Sequence, residues 1–457
     1  MLPMLPMQMI KKRWRCCYMI AISLTVRAFV VMAAVAMVLF FMTITVDTAT
    51  KSSPVDNNNR NFMKSTTGNQ TQPTITPPLP SKCLILLWAH IAIYVHRIPE
   101  HPSCGGGCNI TTDRSRYEEA DAVVFQMKTT TAGDLPDPRK RKSNQVFVWF
   151  TRETPWTSRY FYYKKLTEFD GYFNWTMTYR LDSDVKAVMM PFEVRSFFDN
   201  MQEKLQGQAA NYFRAGFNSL TSPYKCEKNR LTEDDLRFNL ARKKFLAAWA
   251  ANNRDLTAGA KERFSIVQQL VQSGLKLDIF GKSGKKPKFM NSKQFYDTMS
   301  EFKFYFAFEN GYHCQEYITE KVWFNSFYLG SVPIVWGPTK TDASRMLPPN
   351  SYIYYEDFSD PMELINYLKY LDQNDTAYLE YFAWRLVTPC YYPLHKVNDQ
   401  KIGTSIFQHV SSWLNGFCEL SKLIREGVHR RTSKSISSLK DLWYGRERNE
   451  CLKEKVV

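Results

Sequence analysis

FKFYFAFENGYHCQEYITEKVWFNSFYLGSVPIVWGP, residues 302–338, sets a strand, a polar turn, a helix and a second strand in immediate succession. Residues 303–308 alternate and are aromatic, the pattern of a buried strand. Glu309, Asn310 and Gly311 interrupt it; residues 319–328 then have helical character, and Gly330 stops them. Residues 331–336 form a second apolar run, closed by Gly337 and Pro338. Such a strand–helix–strand unit favours a parallel sheet whose ligands bind beyond the carboxyl ends of its strands. The polar residues fall there: Glu309, Asn310, Tyr317, Glu320 and Lys321. A lysine in the first helical turn, beside free backbone N–H groups, suits a phosphate. A neighbouring acid can accept hydrogen bonds from sugar hydroxyls.

These residues resemble the donor-binding signature of the α1,3/α1,4-fucosyltransferases, family 10 of the glycosyltransferases. That pattern reads roughly F-x-F-E-N-S, then D-Y-I-T-E-K, then V-P-V-V-x-G-P. The chain matches at Phe308, Glu309, Asn310, Tyr317, Ile318, Thr319, Glu320, Lys321, Val332, Pro333, Gly337 and Pro338. It departs at Gly311, where serine is usual, and at Glu316, often aspartate. The resemblance runs over residues 82–420. It implies an α/β protein of GT-B type, with two Rossmann-like domains facing one cleft. Residues 82–240 would bind the acceptor and residues 241–420 the donor, GDP-fucose.

The flanks and cysteines point to a compartment. Residues 28–46 are apolar and uncharged, long enough to span a bilayer. Lys11, Lys12, Arg13 and Arg15 precede them, which places residues 1–27 in the cytosol and the bulk of the chain in the lumen. A cleaved signal peptide is the alternative. Cys16 and Cys17 lie on the cytosolic flank as palmitoylation candidates or free thiols. The lumenal cysteines, Cys83, Cys104, Cys108, Cys226, Cys314, Cys390, Cys418 and Cys451, are even in number and suggest disulfides. Cys104 and Cys108 have the wrong spacing for a redox motif and form either a tight bridge or pairs elsewhere. Glycosylation sequons start at Asn69, Asn109, Asn174 and Asn374. Together these features describe a single-pass type II protein of the secretory pathway, and the resemblance implies the Golgi cisterna membrane.

Composition describes a globular protein. The chain has 457 residues, 44% hydrophobic and 15% aromatic, enough for two domains with sizeable cores. Its net charge of +16 lies partly in the membrane flank and partly in residues 421–457, which read as a solvated basic tail. No nucleic-acid module is visible, so the core charge is assigned to nucleotide phosphates. Residues 47–81 are rich in Thr, Asn, Ser and Pro and read as a stem. Strands are expected at 82–88, 120–126, 145–150 and 171–179. Residues 191–242 are polar and irregular. A second series follows: strands at 244–251, 275–281 and 352–358, with helices at 260–273 and 361–371.

Glycosyl transfer needs a base for the acceptor hydroxyl and cations for the departing diphosphate. Glu153 follows the apolar run VFVWF at a strand carboxyl end. The resemblance places the family's W-x-N-L-E-x-P there, with the glutamate as catalytic base; Glu153 and Pro155 match. The family's phosphate-binding arginine aligns with Lys261, preceded by Asn253 and followed by Arg263. Either Lys261 acts as a point charge or Arg263 takes over. Asp182-Ser183-Asp184 looks like the D-x-D of metal-dependent transferases, but Asp and Ser also form hydrogen-bonded turns readily. The resemblance puts this element in the acceptor half. It implies an inverting α1,3-fucosyltransferase acting on N-acetylglucosamine of an N-glycan core or of a LacNAc or LacdiNAc antenna. No cofactor is required on this reading, although Mn²⁺ could stimulate. The alternative is a catalytically impaired lumenal protein of the same fold that binds nucleotide sugar or glycan.

Overall fold

Both sheets of this protein are parallel throughout, and both wind in the same order. The computed structural model describes residues 83–88, 107–162, 164–189, 231–284, 292–387, 412–431, 434–445 and 451. All lie within the compact unit Pro77–Val457. The expected membrane span, stem, Asn69, Cys104, Cys226 and Cys390 lie outside the described residues.

The first sheet contains β1 (Leu84–Leu87), β2 (Asn109–Thr111), β3 (Ala122–Gln126), β4 (Val146–Phe150), β5 (Trp175–Thr178) and β6 (Val185–Lys186). Its order is β2-β1-β3-β4-β5-β6. The second contains β7 (Phe245–Ala250), β8 (Leu277–Phe280), β9 (Phe302–Phe308), β10 (Val332–Trp336) and β11 (Ile353–Tyr354), in the order β11-β10-β9-β7-β8. Each begins with the doubly wound 2-1-3 arrangement. Its ligand crevice lies where the strand order reverses, between the first and third strands.

Strands β1, β4, β7 and β10 are apolar end to end because both faces of each sheet are covered. Along β9, Phe304, Phe306 and Phe308 enter one core cluster while Tyr305 and Ala307 enter the other. Helix Ala258–Gln272 covers the Phe304 face through Ile266, Val267 and Leu270. Helix Pro361–Gln373 joins it with Leu364, Leu368 and Leu371.

Several expectations are corrected by packing. The strand expected over 352–358 is only Ile353–Tyr354, because Tyr355–Asp357 turns away as a 3₁₀ segment. The strand expected over 171–179 shortens to Trp175–Thr178. The helix after β9 is a short α-turn, Glu320–Val322, that widens into a π-helix, Trp323–Tyr328. Helix Glu233–Ala241, within the stretch read as irregular, is closed by a reciprocal Thr232–Asp235 capping box. It belongs to the second sheet: Leu236 is in that core, and Asn239 Nδ2 donates to Gly330 O at 3.0 Å.

The largest correction concerns the carboxyl end. Residues 412–420, read as the end of the donor-binding half, and residues beyond 421, read as a solvated basic tail, both pack into the core of the first sheet. Helix Ser412–Arg425 lays Phe417, Leu420 and Ile424 against Val148, Phe150, Met177 and Val185. Gly416 permits that approach, since a Cβ there would lie 2.4 Å from Met177 Cε. On the other face, Ile436, Leu439, Trp443 and Tyr444 are buried with Trp149 and Phe173. Ile436 N donates to Phe173 O at 2.9 Å, and its carbonyl accepts from Gly171 N at 2.8 Å. Lys422, Lys434 and Lys440 are exposed on the solvated side of an amphipathic segment whose apolar side the charge pattern concealed.

Disulfides join Cys83 to Cys108 and Cys314 to Cys451. Cys418 is disulfide-bonded too. Cys108 therefore pairs elsewhere, not with Cys104.

Trp443→Ala removes a fully buried indole and should cost about 3–5 kcal/mol of stability. Urea unfolding of a fragment spanning the unit Pro77–Val457 checks this; a loss below about 1 kcal/mol, the scale of an ordinary surface substitution, would return the segment to a solvated tail.

Candidate functional site

The carboxyl end of β9 presents an acid that the fold buries completely. Glu309 N still donates to Trp336 O at 3.0 Å, so the residue continues the sheet ladder. Its carboxylate accepts from Thr319 N at 2.8 Å, from the Thr319 hydroxyl at 2.7 Å, and from Lys321 Nζ at 2.8 Å. Thr319 is the N-cap of the following α-turn. Lys321 Nζ also donates to Thr319 Oγ1 at 2.8 Å and to Glu320 Oε1 at 3.3 Å, so its three protons all have acceptors. Burial alone would lower the lysine's pKa, but the Glu309 and Glu320 carboxylates hold the ammonium above its ordinary range. Burial likewise pushes Glu309 upward and Lys321 pulls it back.

This places the expected donor contacts differently from one another. Glu309 has no exposed surface and acts through Lys321 and Thr319. Glu320 is 52% exposed at the rim. Asn310 gives its backbone carbonyl to the Thr257 hydroxyl at 2.7 Å, and its side-chain Oδ1 is buried without a partner. A buried orphan acceptor is rare in a finished core and marks a place where an incoming donor would be satisfied. Tyr317 is buried, its ring edge-on to Tyr179 at 4.9 Å.

Helix Ala258–Gln272 begins against this loop. Thr257 caps it, accepting from Ala260 N, and Gly259 allows the contact, because a Cβ there would lie 2.7 Å from Asn310 O. Lys261 is exposed in the first turn. Arg263 is buried and stitches the two loops at the strand-order reversal. Its Nη1 donates to Phe308 O, after which β9 ends, and its Nη2 to Asn253 O beyond β7, each at 2.8 Å. The Asn253 side chain is engaged locally, accepting from Leu256 N at 3.0 Å. The two cations that the sequence left as alternatives thus have distinct roles: Arg263 joins the loops and Lys261 is the accessible charge.

Glu153 arrives from the other sheet. It follows β4 in a loop held by Thr154, whose hydroxyl accepts from Thr157 N at 3.1 Å and whose carbonyl accepts from the Ser158 hydroxyl at 3.0 Å. Burial raises the proton affinity of Glu153, while Lys321 lowers it, Glu320 raises it and Arg152 lowers it. The first-sheet carboxylate and the second-sheet ammonium therefore share one electrostatic environment. Their loops touch: a Cβ on Gly311 would lie 2.8 Å from Thr154 Cγ2.

Asp182 and Asp184 are both engaged by protein groups. Arg180 Nε donates to Asp182 at 2.9 Å in an exposed pair. Asp184 accepts from Thr176 N at 2.9 Å, from the Thr176 hydroxyl at 3.0 Å and from Lys434 Nζ at 2.6 Å. Among the described residues no cluster of three or more His, Cys, Asp or Glu has metal-binding geometry. The neighbouring Leu181 N donates to Glu316, a buried residue with φ of 59° that also accepts from Arg345. Sequence reasoning missed this bridge between the sheets, because nothing in the spacing of Leu181, Glu316 and Arg345 marks them as neighbours.

The sequons divide. Asn109 lies on edge strand β2, and Asn374 caps the helix Asp375–Glu380. Asn174 is structural: Oδ1 accepts from Phe147 N at 2.8 Å, and Nδ2, the atom a glycan would occupy, donates to Lys434 O at 2.8 Å.

Known proteins share this arrangement of sequence. The family model described as "Fucosyltransferase, N-terminal" matches residues 80–190, and "Glycosyltransferase family 10 (fucosyltransferase) C-term" matches residues 240–442. A 4-galactosyl-N-acetylglucosaminide 3-alpha-L-fucosyltransferase of Homo sapiens, FUT5, is 34% identical over 377 residues, 81% of this chain and 83% of its own length. A 3-galactosyl-N-acetylglucosaminide 4-alpha-L-fucosyltransferase of Pan troglodytes, FUT3, is 32% identical over the same shares. A crystal structure of an alpha1,3-fucosyltransferase covers 77% of this chain and 92% of its own at 18% identity, with a TM-score of 0.39.

Asp184→Ala should cost about 1–3 kcal/mol, since it strips the acceptor from three donors. Asp182→Ala removes an exposed pair and should cost about 0–1 kcal/mol. Equal costs in urea unfolding would overturn this division of labour.

Proposed function

The chain belongs to glycosyltransferase family 10 and is a fucosyltransferase; from that premise we propose that it moves L-fucose from GDP-fucose to N-acetylglucosamine of a glycan, with inversion. The relatives named above act on galactosyl-N-acetylglucosaminides, and the same class of acceptor is proposed here. The two sheets would be the halves of a GT-B enzyme. The chain would sit in the Golgi membrane as a type II protein, its anchor at residues 28–46.

One observation supports the reading above all: the loop that carries Glu153 and the loop that leads to Lys321 come from different sheets and meet, a Cβ on Gly311 lying 2.8 Å from Thr154 Cγ2. The acceptor hydroxyl gives its proton to Glu153, and its oxygen attacks fucose C1. The bond from C1 to the β-phosphate oxygen breaks, and GDP leaves with the electron pair. Lys321 meets the growing negative charge. Its long bond to half-exposed Glu320 is the one that yields to the diphosphate, while buried Glu309 keeps the ammonium in place. Glu320 is then free for a fucose hydroxyl, and Asn310 Oδ1 accepts another donor. Lys261 adds a solvent-facing charge at the helix start. A double displacement needs a carboxylate on the sugar's far face. Glu309, fully buried and occupied by Thr319 and Lys321, does not supply one.

Lys321, Lys261 and the helix start give the diphosphate a positive field from protein groups. Transfer on this reading does not require a divalent ion, although Mn²⁺ can add to it. Chelation should therefore lower activity only partly, and its complete abolition would overturn this point.

Glu153→Gln should lower kcat by about 10² to 10⁴ and leave GDP affinity nearly unchanged. Catalysis needs the unprotonated carboxylate, so the rate falls as pH drops through its pKa. Burial raises that pKa, so the acid limb should lie above the ordinary carboxylate range and vanish in the variant. Near-normal turnover would remove Glu153 from the role. The assay uses the lumenal fragment, GDP-fucose and acceptors carrying core GlcNAc, LacNAc or LacdiNAc, with the fucose located by mass spectrometry. Lys321→Ala should weaken GDP binding as well as rate; unchanged affinity by calorimetry would place the diphosphate elsewhere.

A further inference from the structure

We propose that the Cys314–Cys451 disulfide and the carboxyl-terminal segment that carries it are a positioning device for the base, Glu153. The proposal rests on the reading of Glu153 given above. It arises from two independent contacts on Thr154, the residue next to the base.

The first contact comes from the segment itself. Trp443 Nε1 donates to the Ser158 hydroxyl at 3.1 Å, and that hydroxyl donates to Thr154 O at 3.0 Å. The Trp443 ring stands edge-on to Trp149 of β4, 5.0 Å away, so the same side chain braces the strand and the loop that leaves it.

The second contact comes through the bridge. Cys314 lies inside the donor loop, between Glu309 and Tyr317, and is bonded to a cysteine 137 residues away. Both cysteines are buried in the core of the first sheet together with Tyr317. Gly311 is wedged between the bridge and the base loop: a Cβ there would lie 2.9 Å from Cys314 Sγ and 2.8 Å from Thr154 Cγ2. Both distances are below what real Cβ atoms tolerate, so the Cys314 sulfur and the Thr154 methyl together leave room only for glycine. This accounts for the glycine where the resembling pattern has serine. The chain has filled that space with the bridge.

Thr154 is thus clamped between the Trp443–Ser158 relay and the Gly311–Cys314 packing. The carboxyl-terminal segment reaches both sides of it. Neither cysteine touches the reacting atoms in this scheme; they act by holding the Glu153 loop against the Lys321 loop, where a displacement of about 1 Å can cost about 10²-fold.

The test compares the native lumenal fragment with Cys314→Ala/Cys451→Ala, each with and without Gly311→Ala. Loss of the bridge should lower kcat by about 10- to 10²-fold while the KM for GDP-fucose changes little. The acid limb should move down toward the ordinary carboxylate range as Glu153 gains solvent. Gly311→Ala alone keeps the bridge and should lower kcat through the clash. In the background without the sulfur it should cost distinctly less. Unchanged kcat and acid limb without the bridge, even with a lower Tm, would reduce it to a staple and overturn the proposal. So would strict additivity of the two changes. Glu153→Gln, assayed alongside, separates the cases: if it is inactive while the bridge variant is normal, only this inference fails, and if it is active, the reading of the base fails first.

Discussion

A fully buried carboxylate that holds a lysine is the constraint around which the second sheet is organised. Glu309 leaves the end of β9 still within the hydrogen-bond ladder and meets three donors from Thr319 and Lys321. Removing either partner of such a pair leaves an uncompensated charge and costs on the order of 3–5 kcal/mol. The loop 309–321 must therefore fold back on itself before the next helix can begin. Its path brings the Asn310 carbonyl onto Thr257, and the start of helix Ala258–Gln272 with it. Arg263 then ties the two loops that flank the strand-order reversal. The accessible donors of the site stand on a base of inaccessible ones.

That arrangement separates groups that bind from groups that hold. Lys321, Glu320 and Asn310 retain surface, or an open acceptor, from which to meet a ligand. Glu309 and Thr319 have their hydrogen bonds committed within the protein, and Arg263 gives both terminal nitrogens to backbone carbonyls. The proposed chemistry depends on a second relation, between Lys321 and Glu153 on the other sheet. The fold secures it with contacts that cross between the sheets: Leu181 N on Glu316, Thr154 on Gly311, and Tyr179 on Tyr317. The carboxyl-terminal segment joins the same set through Trp443 and Cys451.

Residues 302–338 show how much could be read in advance. Strands buried on both faces must be apolar throughout, so β4, β9 and β10 stand out in the sequence, and so do the polar residues at their carboxyl ends. Glu153, Asn310 and Lys321 were singled out that way, and the resemblance to family 10 rests on the same residues. The misses have a different origin. Lys422, Lys434 and Lys440 lie on the solvated side of the carboxyl-terminal segment, and Ile436, Leu439 and Trp443 are too few to signal a core unless the surface they cover is known. Asn174 satisfies the sequon rule, yet its amide accepts from Phe147 N of β4 and donates to Lys434 O. The D-x-D pair likewise becomes a turn only once Thr176 and Lys434 are placed around it.

The sequence by itself determined the family, the two parallel sheets and the residue types at their strand ends, because those depend on local periodicity and on motifs contiguous in the chain. The tertiary structure alone decided which of those residues are accessible. It buried Glu309, gave Arg263 to two backbone carbonyls, left Lys261 in solvent and brought Cys451 to Cys314. The physical reason is that burial and hydrogen-bond partnership belong to pairs distant in sequence. A carboxylate's surroundings, not its motif, decide whether it meets a ligand or holds the group that does.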